Sequence, residues 1–143
     1  MKKIAVINDL SGLGKCSLTA AIPVISVMGV QACPLPTAVL SNQTGYESYF
    51  CEDFTEHMEP YMEQWKKRGF SPDGIYTGFL SDDKQADRIL KFMDAFAGKD
   101  TLILTDPVMG DDGAVYPIYT EELRSRFCEL THRSYVITPN LTE

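Results

Sequence analysis

Four apolar, strand-like segments each end in side chains that can do chemistry. These residues are Asn8-Asp9, Thr77-Gly78-Phe79, Asp106 and Asn140. Ligands of open parallel sheets bind at the carboxyl ends of the strands, so the spacing predicts one site at one edge of the sheet. Asp106 leaves a buried strand directly before Pro107. We interpret its carboxylate as part of a charged site that holds magnesium and polarises a phosphoryl acceptor; a solvated cap is the alternative.

The segment 8–14 is predicted to be a loop. Together with the residues that follow it, its sequence is similar to the P-loop pattern but does not match it. A P-loop has Gly, four residues, and then Gly-Lys followed by Ser or Thr. Here Asp9 stands at the first glycine position, and Cys16 follows Gly14-Lys15. Two glycines before a helix still allow backbone N–H groups to face an anion or a polar ligand edge. We favour that role for Gly12 and Gly14 over a plain strand-to-helix turn.

Three other classes of site have little support. An EF-hand that starts at Asp106 fails, because Val108 and Pro117 stand at its third and twelfth positions, where oxygen ligands are needed. Neither histidine has a nucleophile at a spacing that indicates a triad. The cysteines form no Cys-x-x-Cys pair, so we expect small buried hydrophobic residues rather than zinc ligands or disulfides: Cys16, Cys33, Cys51 and Cys128.

The elements that must position these residues alternate between strands and helices. We predict strands over 3–7, 30–40, 74–77, 101–105 and 134–138, and helices over 15–28, 55–68, 81–97 and 120–130. Pro34 and Pro36 indicate an edge or irregular second strand, and Pro23 should kink or divide the first helix. Continuous apolar strands between helices predict an α/β fold in three layers, a mainly parallel sheet with helices on both faces. One domain should cover residues 1–143.

The region 30–54 is a candidate lid or edge. Its second half is polar and aromatic, with Tyr46, Tyr49 and Phe50 close to Thr44 and Gly45. Aromatic residues in so polar a segment favour a cover over a ligand rather than a place in the core.

Composition narrows the classes of function. The chain has 13 Lys and Arg residues against 20 Asp and Glu residues, a net charge of −7, whereas nucleic-acid binders usually carry a basic patch. No apolar run reaches the roughly 18–20 residues of a membrane span, and the apolar stretch near Met1 is too short for a signal peptide. We therefore expect no nucleic-acid or membrane partner and a cytoplasmic location.

Five segments resemble pyridoxal kinases of the ribokinase-like superfamily, in order along the whole chain. They are residues 8–14, 40–46, 76–79, 106–111 and 138–143. The sequences Ser-Asn-x-Thr-Gly-Tyr and Asp-Pro-Val-Met-Gly are the most specific, while Thr-Pro-Asn-x-x-Glu is shared more widely in the superfamily. The resemblance implies phosphorylation of the 5′-hydroxymethyl group of pyridoxal, pyridoxine or pyridoxamine, with ATP and Mg²⁺ as cofactors.

The resemblance also implies the roles of individual residues. Asp106 would be the catalytic carboxylate, and Asp106 and Glu143 would bind the metal. Many of these kinases have Tyr where this chain has Phe79, and Ser-His where it has Asp9-Leu10, so the preferred vitamer stays open. The implied substrate-binding residues are Asp9, Ser11, Thr44, Gly45, Phe79 and Tyr116, and the implied ATP-binding residues are Asp106, Asp111, Asn140 and Glu143.

Members of this family are about double this length, so the chain resembles an apparently truncated N-terminal half. The other half carries a Gly-rich anion hole, the general base and most of the adenine pocket, and we expect the chain alone to be inactive because phosphoryl transfer depends on such positioning. A hydroxymethylpyrimidine kinase, a non-catalytic fragment that binds a B6 vitamer, and a generic flavodoxin-like nucleotide binder are the alternatives. The resemblance also implies a homodimer through residues 30–40, whose edge would otherwise be exposed.

Overall fold

The strand β1 (Lys3–Leu13) runs through the middle of a six-stranded sheet in the computed structural model, which describes all residues from 1 to 143. The other strands of this sheet are β2 (Gln31–Asn42), β3 (Cys51–Asp53), β4 (Gly74–Thr77), β5 (Leu102–Thr105) and β8 (Val136–Ile137). β6 (Gly110–Asp111) and β7 (Ala114–Val115) form a separate two-stranded sheet. The helices are α1 (Ser17–Val27), α2 (Thr55–Lys67), α3 (Asp83–Phe96) and α4 (Glu121–His132). The strand order is β3-β2-β1-β4-β5-β8, and only β3 is antiparallel to its neighbour. The predicted α/β fold with a mainly parallel sheet is confirmed.

The main core lies between one face of this sheet and the helices α2, α3 and α4. Ile7 and Ile75 of the sheet pack there with Met58 of α2, Phe92 of α3 and Leu123 of α4. Each of these side chains is at most 1% exposed. Full burial of one such side chain stabilises the fold by about 1.5–3 kcal/mol, so this layer holds the sheet in place beneath the site.

The helix α1 covers the opposite face of the sheet. It packs against β1 and β2, and its Leu18 is 1% exposed. Successive side chains of a strand point to opposite faces, so the buried Val6 faces away from the core that Ile7 enters. Helices therefore lie on both faces, as the sequence predicted.

The strand β1 is longer than predicted. It continues to Leu13, so the prediction of a loop over residues 8–14 is wrong for all but the last of them. Gly12 permits close pairing with β2, because a Cβ there would lie 2.7 Å from the carbonyl oxygen of Ser41. Gly14, with φ of +100°, packs against the side chain of Gln43. These contacts account for both glycines.

A β-bulge interrupts the pairing of β1 with β2. Asn8 pairs with Pro36, and Leu10 pairs with Val39, so β2 contributes one residue more than β1. A bulge re-aims the side chains beside it. Asp9 lies at this point, where the parallel sheet approaches its carboxyl edge.

The strand β2 is internal at one end and an edge at the other. It pairs with β1 along its length, whereas β3 covers only residues 38–40. The uncovered part contains Pro34 and Pro36, which lack the N–H that an internal strand needs. The hydroxyl of Tyr61 donates to the carbonyl of Pro34 at 3.0 Å. This edge therefore offers few free groups for pairing with another strand, and the homodimer through residues 30–40 stays a prediction.

The helices begin and end within a few residues of their predicted bounds. Two have side-chain caps: Oδ1 of Asp82 accepts from the N–H of Gln85 at 2.9 Å, and Oγ1 of Thr120 accepts from the N–H of Leu123 at 3.1 Å. Pro23 lies inside the single helix α1, so the predicted division at this proline does not occur. None of the four helices combines the length and the apolar character needed to cross a membrane.

Three short strands and the cysteines depart from the predictions. β3 and the hairpin of β6 and β7 lie in segments for which no strand was predicted, because strands of two or three residues show too little alternation to be recognised. Cys51 and Cys128 are exposed, and Cys16 and Cys33 are half-buried. The prediction that the cysteines are buried is therefore wrong.

Candidate functional site

Asp9 and Ser11 form a buried polar pair towards the carboxyl end of β1. The hydroxyl of Ser11 donates to Oδ2 of Asp9 at 2.9 Å. Ser11 is 1% exposed and Asp9 is 6% exposed. The other carboxylate oxygen, Oδ1, accepts no side-chain hydrogen bond, and no Lys or Arg forms an ion pair with Asp9. Oδ1 is not among the fully buried polar atoms that lack a partner, so it is open to a ligand that donates a hydrogen bond.

Phe79 is held just after β4 by main-chain hydrogen bonds. Its N–H donates to Oδ1 of Asn8 at 3.0 Å, and its carbonyl accepts from the hydroxyl of Thr37 at 3.1 Å. Gly78 allows the close contact, because a Cβ there would lie 2.5 Å from Nδ2 of Asn8. The half-buried ring stands outside the main core, and its fixed backbone gives it a defined place next to β1.

Thr44 and Gly45 lie on the exposed turn 43–50, which joins β2 to β3. The side chain of Asn42 donates to the carbonyl of Ser48 at 2.9 Å and closes the base of this turn. Nothing lies within 4 Å of a Cβ placed on Gly45, so the space beside it is open. The aromatic residues of the turn are also exposed, namely Tyr46, Tyr49 and Phe50.

Asp106 follows β5 and is half-buried. Its Oδ1 accepts from the hydroxyl of Thr138 at 3.2 Å, which joins the ends of β5 and β8. Burial raises the pKa of Asp106; the bond from Thr138 opposes this rise, and the carboxylate of Glu143 adds to it. No Lys or Arg forms an ion pair with either carboxylate. Two neighbouring carboxylates disfavour each other's ionisation, and a cation between them would remove that cost.

Asn140 and Glu143 bind each other and also the loop after β5. Oδ1 of Asn140 accepts from the N–H of Glu143 at 3.1 Å, and Oε2 of Glu143 accepts from the N–H of Asn140 at 3.0 Å. This reciprocal pattern is a capping box, as found where helices begin. Oε1 of Glu143 accepts from the N–H of Met109 at 3.0 Å, and Nδ2 of Asn140 donates to the carbonyl of Gly110 at 2.9 Å. The pair thus fixes the loop after β5 against the end of β8.

The hairpin of β6 and β7 carries Asp111 and turns back at Asp112 and Gly113. Both turn residues have positive φ, +49° and +79°. The N–H of Gly113 donates to the hydroxyl of Thr142 at 2.9 Å. A cleft of about 480 Å³ lies between this turn and residues 140–142. Its polar walls suit a charged, hydrated group better than an apolar ring.

Tyr116 follows β7 and stands among acidic groups. Burial raises the pKa of its hydroxyl, and the carboxylates of Asp111, Glu143 and Asp112 raise it further. The hydroxyl therefore keeps its proton at neutral pH and can donate it in a hydrogen bond. Tyr116 was predicted to bind substrate, and the structure brings it to the acidic side of the edge.

The predicted site residues fall into two groups and an outlying pair. The first group lies at the ends of β1 and β4, the second around the ends of β5 and β8, and the pair lies on the 43–50 turn. The first group contains Asp9, Ser11 and Phe79. The second group contains Asp106, Asp111, Tyr116, Asn140 and Glu143. The outlying pair is Thr44 and Gly45.

Sequence reasoning did not single out Thr138 or Thr37. Thr138 could have been found, because it directly precedes Pro139-Asn140 at a strand exit. Thr37 gives no such signal, since its partner Phe79 is 42 residues away in sequence. The two threonines hold one residue from each of the two groups.

The acidic group is compatible with a magnesium ion that arrives with nucleotide phosphates. The structure contains no cluster of three or more His, Cys, Asp or Glu residues that would hold a metal without other ligands. Mg²⁺ usually takes one or two carboxylates and completes its shell with water and substrate phosphates. Asp106 and Glu143 supply such a pair, and burial together with the Glu143 carboxylate raises the pKa of Asp106.

No family model matches the chain, whereas several solved structures do. One is a candidate phosphomethylpyrimidine kinase from Bacteroides thetaiotaomicron, with 46% identity and a TM-score of 0.97 over 99% of this chain and 49% of that one. A second crystal form of that protein, which contains pyridoxal, matches with a TM-score of 0.96.

Pyridoxal kinases match as well. The enzyme from Lactobacillus plantarum has 26% identity and a TM-score of 0.92, over 100% of this chain and 51% of that one. The enzyme from Leishmania donovani, in complex with ADP and pyridoxamine, has 25% identity and a TM-score of 0.86, over 99% of this chain and 51% of that one. The chain thus spans about half the length of the structures it matches. In fold and in sequence, the chain is therefore similar to about half of a pyridoxal kinase-type protein.

Proposed function

We propose that the chain carries the acceptor-binding part of an ATP-dependent kinase that phosphorylates the 5′-hydroxymethyl group of a B6 vitamer. One observation carries the proposal: a free hydrogen-bond acceptor on the largely buried Asp9 and a carboxylate pair at Asp106 and Glu143 share the carboxyl edge of one sheet. The relative with 46% identity has been crystallised with pyridoxal, which supports a planar heterocycle as the ligand.

In this proposal the heterocycle binds beside β1 and β4. Oδ1 of Asp9 accepts a hydrogen bond from the ring, and Ser11 keeps the carboxylate in place through Oδ2. The ring of Phe79 packs against one face of the ligand, because flat apolar rings stack well. Thr44 and Gly45 would come over the ligand from the 43–50 turn, where the absence of a Cβ allows close approach.

The acidic group would bind the phosphates of ATP together with Mg²⁺, which neutralises charge that develops on the transferred group. Asp106 and Glu143 would hold the cation, and Asp111 and Asn140 would line the phosphate side. Asn140 and Glu143 keep the loop after β5 in position. Tyr116 would donate its hydroxyl to a phosphate or to the acceptor oxygen.

Most of the work assigned to these residues is positioning. Phosphoryl transfer needs an acceptor hydroxyl aligned with the phosphate, and alignment of reactants lowers a barrier without any covalent step by the protein. Thr138 fixes Oδ1 of Asp106, so the charge is held still while the substrates come together.

A hydroxymethylpyrimidine-type substrate is the second candidate. The relative with 46% identity is named for phosphomethylpyrimidine, and such a ring can also donate a hydrogen bond to Asp9. A chain that binds the heterocycle without transferring phosphate is the third, because the chain covers 49–51% of the matched structures.

Binding and turnover measured with the same ligands separate the three candidates. Isothermal titration of pyridoxal, pyridoxine, pyridoxamine and hydroxymethylpyrimidine into the chain tests recognition, and a coupled assay of ADP release tests transfer. We expect binding of at least one B6 vitamer, and its loss in Asp9→Asn. Tighter binding of the pyrimidine would favour the second candidate, and a chain that binds none of the four would contradict the proposal.

A further inference from the structure

Gln85 joins the segments next to Phe79 and next to the 43–50 turn, the two parts that would contact the heterocycle. It is fully buried at the start of α3. Oε1 accepts from the N–H of Ser81 at 2.9 Å. Nε2 donates to the carbonyl of Thr37 at 2.8 Å and to the hydroxyl of Thr55 at 2.9 Å. Both amide hydrogens and the carbonyl oxygen are thus used, which a buried amide requires.

The contacts of Gln85 go beyond helix capping. A glutamine at the third position of a helix commonly reaches back with its oxygen to a free N–H at the helix start, and the bond from Ser81 is a variant of this. Capping does not involve the amide nitrogen. That nitrogen crosses to β2 and α2, at sequence separations of 48 and 30 residues.

One route from Gln85 leads to Phe79. The carbonyl of Thr37 accepts from Gln85, and the hydroxyl of the same threonine donates to the carbonyl of Phe79 at 3.1 Å. Ser81, two residues after Phe79, is held by Oε1 of Gln85. The Phe79 segment is therefore fixed from both sides by one buried amide.

The other route leads to the 43–50 turn. Asp53 ends the strand β3 on which this turn returns, and its Oδ2 accepts from the hydroxyl of Ser81 at 2.6 Å. Nε2 of Gln85 lies 3.4 Å from the same oxygen. Oδ1 of Asp53 accepts from the N–H of Thr55 at 2.8 Å. The far end of β3, the strand that leaves the turn, is thus tied to the residues that follow Phe79.

We propose that Gln85 is a positioning residue that sets the distance between Phe79 and the 43–50 turn, and so controls affinity for the planar heterocycle but not for the nucleotide. The identity of the ligand rests on the proposed function, whereas the positioning of Phe79 and the 43–50 turn by Gln85 does not. Gln85 touches no substrate in this scheme. It acts through Thr37, Ser81 and Asp53.

Gln85→Glu is the first test, because it keeps an acceptor for Ser81 and removes both donors. Thr37→Val is the second test, and it serves if the buried carboxylate of Gln85→Glu prevents folding. It keeps the shape of the side chain and removes only the hydrogen bond to Phe79. Asp82→Ala is the matched control: it removes the cap of α3 and leaves both donors of Gln85. Hydrogen–deuterium exchange of each variant reports local opening without any ligand.

In Gln85→Glu and Thr37→Val we expect exchange to rise at least tenfold in residues 77–82, and in Gln85→Glu also in residues 43–54, with α4 unchanged. Asp82→Ala should affect only the first turn of α3. Titration of pyridoxal should show at least tenfold weaker binding for Gln85→Glu, with the affinity for ATP unchanged.

The outcomes separate the inference from the proposed function. Local opening in a chain whose wild type binds no heterocycle would support the mechanical role and contradict the function. A rise in exchange that is uniform along the chain in Gln85→Glu, or an equal rise in residues 77–82 and 43–54 in Asp82→Ala, would overturn the positioning role. Local opening with an unchanged affinity for pyridoxal would overturn the control of affinity.

Discussion

The hydroxyl of Thr138 donates to Oδ1 of Asp106 at 3.2 Å, across the carboxyl ends of β5 and β8. This bond is the one side-chain hydrogen bond that Asp106 accepts, and it opposes the rise in pKa that burial and Glu143 cause. The pKa of Asp106 therefore depends on two neighbours, Thr138 and Glu143, that can be changed separately.

Replacing those neighbours should move the pKa of Asp106 in opposite directions. Glu143→Gln removes a negative charge and should lower it, whereas Thr138→Val removes a hydrogen bond to the ionised form and should raise it. A carbon-13 NMR titration of the Asp106 carboxyl measures both. Shifts of the same sign in the two variants would contradict the geometry described here.

Asp106→Asn should keep the fold. The pKa of Asp106 is raised in the folded state above its ordinary value of 3.8, so the folded protein binds the proton more tightly than the unfolded chain. Ionised Asp106 therefore costs stability, and this cost is absent at low pH and develops as the pH rises through the folded pKa. We expect the asparagine variant to be at least as stable as the wild type at pH 7, with the difference vanishing near pH 3 in thermal unfolding.

The same variant should lose activity in a form of the protein that turns over ATP. Removal of one electrostatic contributor typically lowers turnover by about 10²-fold or more. An assay of ADP release under saturating vitamer and ATP measures the loss. Wild-type turnover in Asp106→Asn would remove Asp106 from the proposed machinery.

Thr44→Val should weaken binding of the heterocycle and leave ATP unaffected. The hydroxyl of Thr44 is exposed on the 43–50 turn and free to bond a ring substituent. Ser48→Ala is the control, because it removes another exposed hydroxyl from the same turn. In a form of the protein that turns over ATP, we expect a higher KM for the vitamer only in Thr44→Val. Parallel changes in the KM values for the vitamer and for ATP would mean that the turn is only structural.

The 143-residue chain should self-associate through the edge at β8 and show weak or no ADP release. β8 pairs only with β5, and the exposed fractions of Tyr135 and Ile137 are 83% and 48%. Open apolar edges invite pairing between chains. Light scattering should show a dimer or larger species that Ile137→Lys reduces. Val27→Lys, at an 89% exposed residue of α1, should leave it unchanged, and a monomeric wild type with strong vitamer-dependent ADP release would contradict the prediction.

The sequence by itself determined the order and type of the main elements. Apolar periodicity and caps placed α2, α3 and α4 close to their observed bounds, because these signals act over neighbouring residues. The strand β4 has the predicted bounds. The polar residues near the strand ends also predicted a candidate site at the carboxyl edge of the sheet, since parallel strands bring their carboxyl ends together.

Only the tertiary structure decided the rest, because the deciding contacts join residues that are distant in sequence. β1 runs on to Leu13 because β2 pairs with it and Gly12 admits the carbonyl of Ser41. Gln85 looks like a capping residue in sequence, yet its amide nitrogen reaches Thr37 across 48 positions. A local pattern records which residues can form a strand or a helix, whereas burial and hydrogen-bond partners are set by the elements that pack on them.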